Sequence, residues 1–282
     1  MAYGYLYKVY QSGNVIEVYE YDEMRFKGFQ RSKTSGELNA TIRVVDKETG
    51  EIITRKMTEE ELEKHIEKKS LRSRAKSNIR ARNNIRRMAL SNFANKSTFL
   101  TLTFQENIQD LELANKVFTR FVQYMKADLK KEKCSFEYLA VIEFQERGAI
   151  HYHLLCDLPK YYKFEKVRNR WRQAIKALGV EGTGSTKQNR IDRVDNVGAY
   201  IVKYMTKEKA DKRLIGKKMY QTSRGLKKPA EIGFKTREEL EEYLNFFGIN
   251  EDTEDTKKAY HNSYTDSFTL GEVKYTEYNL KR

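Results

Sequence analysis

Apolar and polar positions alternate with different periods along this chain. Residues 1–56 alternate in short bursts, YLYKVY, VIEVYEY and ATIRVV, broken by turn signals around Gly13 and Gly50. A period of two predicts a small antiparallel β region there. From about 58 to 93 the period lengthens. Thr58 precedes EEELEKH, an acidic first turn suited to a helix N-terminus. Leu71, Ala75 and Ile79 fall four apart, and Ile85, Met88 and Ala89 carry the stripe onward. The arginines lie mostly off that stripe, so an amphipathic basic helix or helix pair is expected.

The middle of the chain is more regular. STFLTLTF (97–104) is a β-branched and aromatic run that predicts a strand. Residues 111–131 place Leu111, Ala114, Phe118, Phe121, Met125 and Leu129 at helical intervals. Strand-like FEYLAVIEFQ (136–145) follows, then the turn ERGA and a second strand, IHYHLLCDL (150–158). Residues 164–178 repeat at Val167, Trp171, Ala174 or Ile175, and Leu178, which predicts another helix. A short strand near 186–194 leads into a helix at 196–208, capped by Asp195 or Asn196. The order β-α-β-β-α-β plus one helix predicts an α+β fold of ferredoxin-like (RRM-like) type. In that fold an antiparallel sheet carries both connecting helices on one face and leaves the other free for a site. Segment 209–235 is basic and Gly-interrupted, and 236–248 reads as a short helix with Gly248 past its end. The expected organisation is a β-rich region 1–60, a basic helical segment 61–96, a central domain 97–235 and an acidic C-terminal tail 236–282.

Composition adds a partner class. The 282 residues hold 54 Lys+Arg against 40 Asp+Glu, a net charge of +14. Mean hydropathy is −0.80, yet 12% of the chain is aromatic, so a folded core is expected. No apolar run approaches the roughly 18 residues of a membrane span. The N-terminal MAYGYLYKVYQSG lacks the pattern of a signal peptide. Cys134 and Cys156 form neither a disulfide framework nor a CxxC zinc pair. These features predict a soluble protein of a reducing, cytoplasmic compartment, with no membrane partner. The charge is uneven: residues 68–105 hold ten basic side chains and no acidic one. Residues 237–282 hold 11 acidic and 6 basic, or −5, so the first 236 residues carry +19. A polyanionic partner is expected for the front of the chain.

Chemistry concentrates in two short segments. His151 and His153, two of only four histidines, flank Tyr152 in IHYHLL. Residues i and i+2 of a strand point to one side, so both imidazoles face the same way and Tyr152 faces the core. The preceding strand carries Glu143 and Gln145, and a tight turn at Arg147–Gly148 folds it back alongside. Two imidazoles and one carboxylate make a facial set of three ligands. That set suits Mn²⁺, Mg²⁺ or Zn²⁺ and could polarise a phosphoryl oxygen. Glu143 is the preferred third ligand, since its charge offsets that of the metal; Gln145 is the alternate. In NVGAYIVKYMTKEK, Tyr200, Lys203, Tyr204 and Lys207 share one helical face. A tyrosine can attack phosphorus once a neighbouring cation favours its phenolate. With 19 tyrosines in the chain the spacing alone is weak, and Tyr3/Tyr7 and Tyr260/Tyr264 share it. The lysines and the position after the last expected strand distinguish this pair.

Together these residues resemble the HUH endonucleases, specifically the two-tyrosine rolling-circle replication initiators of small phages and plasmids. FLTLTF is similar to that family's first motif, EFQERGAIHYHLL to its second and AYIVKYMTK to its third. YQTSRGLKKP (220–229) resembles a basic element that follows the third motif in phage relatives. The resemblance covers about residues 70–230. It implies an HUH endonuclease architecture for 97–235 and a divalent metal, Mn²⁺ or Mg²⁺, held by His151, His153 and Glu143. It further implies attack by Tyr200 or Tyr204 on single-stranded DNA at a replication origin, leaving a 5′-phosphotyrosine and a free 3′-OH primer. Tyr200 is favoured as the first nucleophile by its place in the YxxK pattern of single-tyrosine relatives. Lys203 and Lys207 would favour the phenolate or hold the phosphate.

Phosphate contacts are expected from segment 68–96, with Arg80, Arg82, Arg86 and Arg87, from Arg147, and from Arg224, Lys227 and Lys228 in the loop after Ser223. No GxxxxGK[ST] occurs, so strand separation is expected to fall to a host helicase and extension to a host DNA polymerase, in the cytoplasm of a bacterial cell. Three other readings compete. A two-tyrosine transposase or relaxase would share the chemistry. A non-catalytic RRM-like binder would carry stacking aromatics where the histidines stand, and the RNP1 string is missing. A zinc hydrolase is disfavoured by the lack of an HExxH helix.

Overall fold

A computed structural model describes residues 3–28, 41–45, 51–93, 97–191, 196–205, 213, 217–266 and 270–281. In chain order, β1 (Tyr3–Ser12) and β2 (Val15–Lys27) precede the hairpin β3 (Thr41–Val45) and β4 (Ile52–Lys56). A 34-residue helix, α1 (Glu59–Asn92), follows. Next come β5 (Thr98–Phe104), α2 (Leu111–Lys131), β6 (Tyr138–Phe144), β7 (Ile150–Cys156), α3 (Phe164–Ala177) and β8 (Gly184–Arg190). The chain continues through α4 (Val197–Val202), β9 (Tyr220–Thr222), β10 (Ala230–Phe234) and α5 (Arg237–Phe246). It ends with α6 (Glu254–Lys257), β11 (Lys258–Thr265) and β12 (Glu272–Asn279).

The central sheet runs β8-β5-β7-β6-β9 with every neighbour antiparallel. Its first four strands have the order that a β-α-β-β-α-β chain gives when each helix crosses over one intervening strand. The α+β, ferredoxin-like expectation therefore holds. Alternation decides which side each residue takes. Leu100, Leu102 and Phe104 of β5 share a face with Tyr152 and Leu154 of β7, all buried. That face is covered by α2 and α3. Phe118 stacks on Tyr152 with ring centroids 4.5 Å apart, and Trp171 meets Phe104 at 5.0 Å. The Trp171 indole N–H donates to the Thr103 carbonyl at 3.0 Å, and the Tyr152 hydroxyl donates to Asn115 Oδ1 at 2.9 Å. Burying each of these large side chains contributes about 1.5–3 kcal/mol.

The opposite face, with Phe99, Thr101, His151 and His153, is covered by α4. Its Ile201, and Met205 just beyond it, are fully buried. α1 packs across α4 at Gly198, where an added Cβ would stand 2.4 Å from the Arg86 carbonyl oxygen. α1 begins with the capping box Thr58/Glu61 and is one continuous helix. Its apolar stripe does not bury as the periodicity suggests. Ile85, Ala89 and Leu90 are buried, but Ile66 and Ile79 are exposed, and residues 59–84 include no buried side chain among those described.

The acidic tail is a correction. Segment 236–282 joins the N-terminal strands in a second sheet, ordered β10-β1-β2-β12-β11. One face of it buries Val9, Ile16, Val18 and Tyr278 against Leu240 and Leu244 of α5. α5 has the capping box Thr236/Glu239, and Gly248 follows it at φ 68°, a left-handed turn suited to glycine. The other face presents Glu17, Tyr19, Tyr275 and Glu277 to the end of α1. Arg87 Nε donates to Glu17 Oε2 at 2.6 Å and its Nη2 to the Tyr19 hydroxyl at 2.9 Å, with the guanidinium 3.5 Å from the Tyr10 ring centroid. Arg86 donates to Glu17 Oε1 at 3.2 Å and also binds Glu277. Arg86 and Arg87 are therefore not the phosphate ligands expected of them: buried carboxylates occupy their donors.

Glu17 is 1% exposed, so removing it strands two cations against a low-dielectric surface. Glu17→Ala should lower unfolding free energy by about 3–5 kcal/mol in urea titrations. Glu20→Ala, which loses only the exposed Arg237 pair, should cost less than about 1 kcal/mol. Equal midpoints for the two variants would show that the Glu17 pairs do not hold α1 to this sheet.

Candidate metal and nucleophile site

The β6–β7 register sets Glu143 opposite His151 and Val141 opposite His153. On the other side, β5 sets Thr103 opposite His151 and Thr101 opposite His153. Both imidazoles thus stand mid-sheet with a strand on either side. The connecting turn is closed by Gln145 N–H to the Ala149 carbonyl at 2.9 Å and Gly148 N–H to the Gln145 carbonyl at 2.7 Å. Gly148 supplies the positive φ of 82° that the turn requires. The Gln109 side-chain amide donates to the Arg147 carbonyl at 3.0 Å, and Arg213 donates to the Gly148 carbonyl at 2.8 Å. These contacts hold the hairpin that brings Glu143 beside the histidines.

One ligand atom from each of Glu143, His151 and His153 lies within 4.8 Å of the others. Glu143 Oε2 is 2.7 Å from His153 Nε2, and His153 Nδ1 is 3.1 Å from Thr101 Oγ1. His151 Nε2 is buried and has no hydrogen-bond partner among the described residues. The hydrogen bond from His153 holds the Glu143 carboxyl below its usual range. Burial holds His151 below the usual imidazole range; His153 and Arg147 add to this, and the Glu143 charge opposes it. A carboxylate and a neutral imidazole are the forms that bind metal. An unsatisfied buried imidazole nitrogen beside a carboxylate and a second imidazole therefore fits a divalent cation. Gln145, the alternate ligand, falls past the end of β6 in the turn.

The tyrosines lie against the same sheet face. Tyr204 stacks on His153 with centroids 3.9 Å apart and on Phe99 at 5.2 Å. Tyr200 meets Phe99 edge-on at 4.8 Å, and the two tyrosine rings are 5.9 Å apart. Lys203 Nζ sits 3.9 Å from the Tyr200 ring centroid and 5.0 Å from that of Tyr204. Burial, a hydrogen bond with Tyr200 and the nearby Glu143 charge all push the Tyr204 phenol well above its usual pKa. α4 is shorter than the pattern suggests. Asn196 caps it through the Ala199 N–H at 2.8 Å, and its last turn tightens, with Tyr204 N–H bonding the Ile201 carbonyl at 3.2 Å. Lys207 and the alternative cap Asp195 lie outside the described residues.

The expected phosphate ligands separate into groups. Arg147 is exposed at the tip of the β6–β7 turn. Arg224, Lys227 and Lys228 are exposed on the loop after β9. That loop is pinned by Ser223, which donates to Glu137 and accepts the Tyr138 N–H at 3.1 Å. The Asn92 side chain pins it again, through both the carbonyl and the N–H of Lys227 at 2.8 and 2.7 Å. Arg80 and Arg82 lie on the unburied part of α1, away from the paired Arg86 and Arg87. Thr101 and Asn92 are absent from the sequence-based set. Only the strand register reveals Thr101, and nothing in the local pattern marks Asn92.

Residues 97–209 match a family model described as replication-associated protein ORF2. The matched span includes Glu143, both histidines and both tyrosines, and it supports a replication initiator role. Neither a search of curated proteins nor one of solved structures found a match. Among the described residues no helix is long and apolar enough to cross a membrane.

Thr101 orients His153 through Nδ1, which leaves Nε2 for a metal. Thr101→Val keeps the strand but removes that bond. Mn²⁺ affinity by isothermal titration should fall about tenfold or more. An unchanged affinity would show that Thr101 does not orient the ligand.

Proposed function

We propose that this chain nicks and rejoins single-stranded DNA at a rolling-circle origin, as an HUH-type, two-tyrosine replication initiator. The observation that carries the reading is the contact between the two halves of the site: the Tyr204 ring stacks directly on His153, a member of the Glu143–His151–His153 cluster. A nucleophile side chain and a metal-ligand set that meet on one sheet face suit phosphoryl chemistry better than a purely structural arrangement.

Glu143, His151 and His153 would hold a divalent cation, Mn²⁺ or Mg²⁺. Such a cation, when bound, would polarise the scissile phosphate and stabilise charge on its oxygens. The chain's own residues do the rest. Tyr200 Oη attacks phosphorus, the P–O3′ bond breaks, and the phenol proton ends on the departing 3′ oxygen. The products are a 5′-phosphotyrosine and a 3′-OH that a host polymerase can extend. The phosphoester energy stays in the covalent bond, so rejoining needs no nucleotide hydrolysis. Tyr204 would serve the second cleavage while the first adduct persists. Its raised pKa makes it the harder phenol to ionise, which favours Tyr200 for the first step. Lys203, above both rings, would favour the phenolate of either. Arg147, Arg224, Lys227 and Lys228 would guide the strand through its phosphates. Separation of the duplex would be the work of a host helicase in the bacterial cytoplasm.

With Mn²⁺ and single-stranded oligonucleotides from its replicon's origin, the protein should form an adduct that survives SDS electrophoresis. Tyr200→Phe/Tyr204→Phe and His151→Ala should each reduce it at least a hundredfold. An undiminished adduct in the double tyrosine variant would refute the nucleophile assignment. Full metal-dependent cleavage by His151→Ala would refute the ligand set.

A further inference from the structure

α1 has two parts with different surroundings. Its last two turns are buried against α4 and the second sheet through Ile85, Arg87, Ala89 and Leu90. Its first 26 residues, 59–84, contain no buried side chain among those described. A lone helix of that length in water is only marginally stable on intrinsic propensity. Here it is held at both ends. Arg55 grips Glu61 with two 2.7 Å bonds at the hairpin end, and the packed turns hold the other.

Charge divides the exposed length further. Glu59, Glu60, Glu61, Glu63 and Glu67 crowd the start, where they complement the helix dipole. Residues 68–84 then hold seven basic residues and no acidic one. Ser70, Ser73, Ser77, Asn78, Asn83 and Asn84 stand between them, and residues 59–92 include no Phe, Tyr or Trp.

We propose that residues 68–84 of α1 form an arm that binds double-stranded DNA beside the single strand cleaved at the tyrosines. The inference rests on the nicking reading for its setting and on the arm's own chemistry for its partner. A polycationic rod with hydrogen-bonding side chains suits phosphate backbones. Without aromatics it offers no stacking platform for unpaired bases, which disfavours a single strand. Seven like charges with no balancing acid repel a second copy of the same segment. A helix about 10–12 Å across also matches the roughly 12 Å major groove of B-DNA. The arm is continuous with the turns that pack on α4 at Gly198, so its distance from the nucleophiles is fixed by helix geometry. At about 1.5 Å per residue, Arg80 lies roughly 9 Å and Lys68 roughly 27 Å along the axis from Arg86. That span corresponds to about five base pairs of duplex next to the nick, at 3.4 Å each.

The test uses the full chain and two probes of arbitrary sequence and equal length, one duplex and one single strand, read by fluorescence anisotropy across a salt series. For Lys68→Gln/Lys69→Gln/Arg80→Gln/Arg82→Gln, duplex affinity should fall at least tenfold. The log–log salt slope should become shallower by about three to four. Swapping the same four positions between Lys and Arg should retain duplex binding, and circular dichroism should show the helix intact in both variants. Mn²⁺-dependent adduct on an origin single strand should change less than twofold. Unchanged duplex affinity in the Gln variant overturns the proposal. So does a solution dimer that this variant splits without affecting duplex binding. A wild-type protein that binds duplex through the arm yet forms no adduct would instead refute the nicking reading and leave the arm standing.

Discussion

Glu143 reaches His153 across the β6–β7 pairing at 2.7 Å, and only one register of those strands permits it. A slip of one residue would turn every side chain of β7 to the opposite face. The histidines would enter the α2/α3 core, and Tyr152 would leave its 4.5 Å stack on Phe118. The chemical face and the apolar core therefore enforce one another: Tyr152 and Leu154 pull one way, and His151 and His153 go the other because they must. This coupling explains how two imidazoles come to be buried without a full set of hydrogen bonds. The apolar side of β7 stabilises the register that the polar side occupies.

The nucleophile helix depends on a longer chain of contacts. α4 has six residues, too few to be stable alone, and it is held between the sheet and the end of α1. That end is in turn tied to the second sheet by Glu17 and Glu277 through Arg86 and Arg87. The same helix end carries Asn92, which clamps the basic loop after β9. One helix terminus thus connects the tyrosines, the loop of Arg224, Lys227 and Lys228, and a sheet built from both ends of the chain. The terminal strands act on the site at a distance, through α1.

Much of the central architecture is legible in the sequence, because burial on one face leaves a clear period. Helix 111–131 has the bounds its apolar spacing predicts, and strand 97–104 and the hairpin carrying Glu143 and the histidines differ by only a few residues at their ends. What escapes the sequence is pairing at long range. β11 is exposed along most of its length, so its residues carry no apolar alternation, and its partnership with β12, β2 and β1 depends on strands more than 200 residues away. The acidic composition of that segment suggests a tail, although several of its carboxylates are partners for basic side chains elsewhere. Arg86 and Arg87 show the same limit from the other side. Local charge marks them as phosphate ligands, and only the fold reveals Glu17 beneath them. Thr101 is one of several similar residues in FLTLTF until the register places it beside His153.

The account's central claim is that Glu143, His151 and His153 form a metal site facing the tyrosines. Anomalous diffraction from crystals soaked in Mn²⁺ tests it most directly. The claim predicts one strong peak within about 2.0–2.3 Å of His151 Nε2, His153 Nε2 and a Glu143 carboxylate oxygen, with the Glu143–His153 hydrogen bond replaced. A density map that keeps that hydrogen bond and shows no manganese between the three side chains at saturating Mn²⁺ would contradict it.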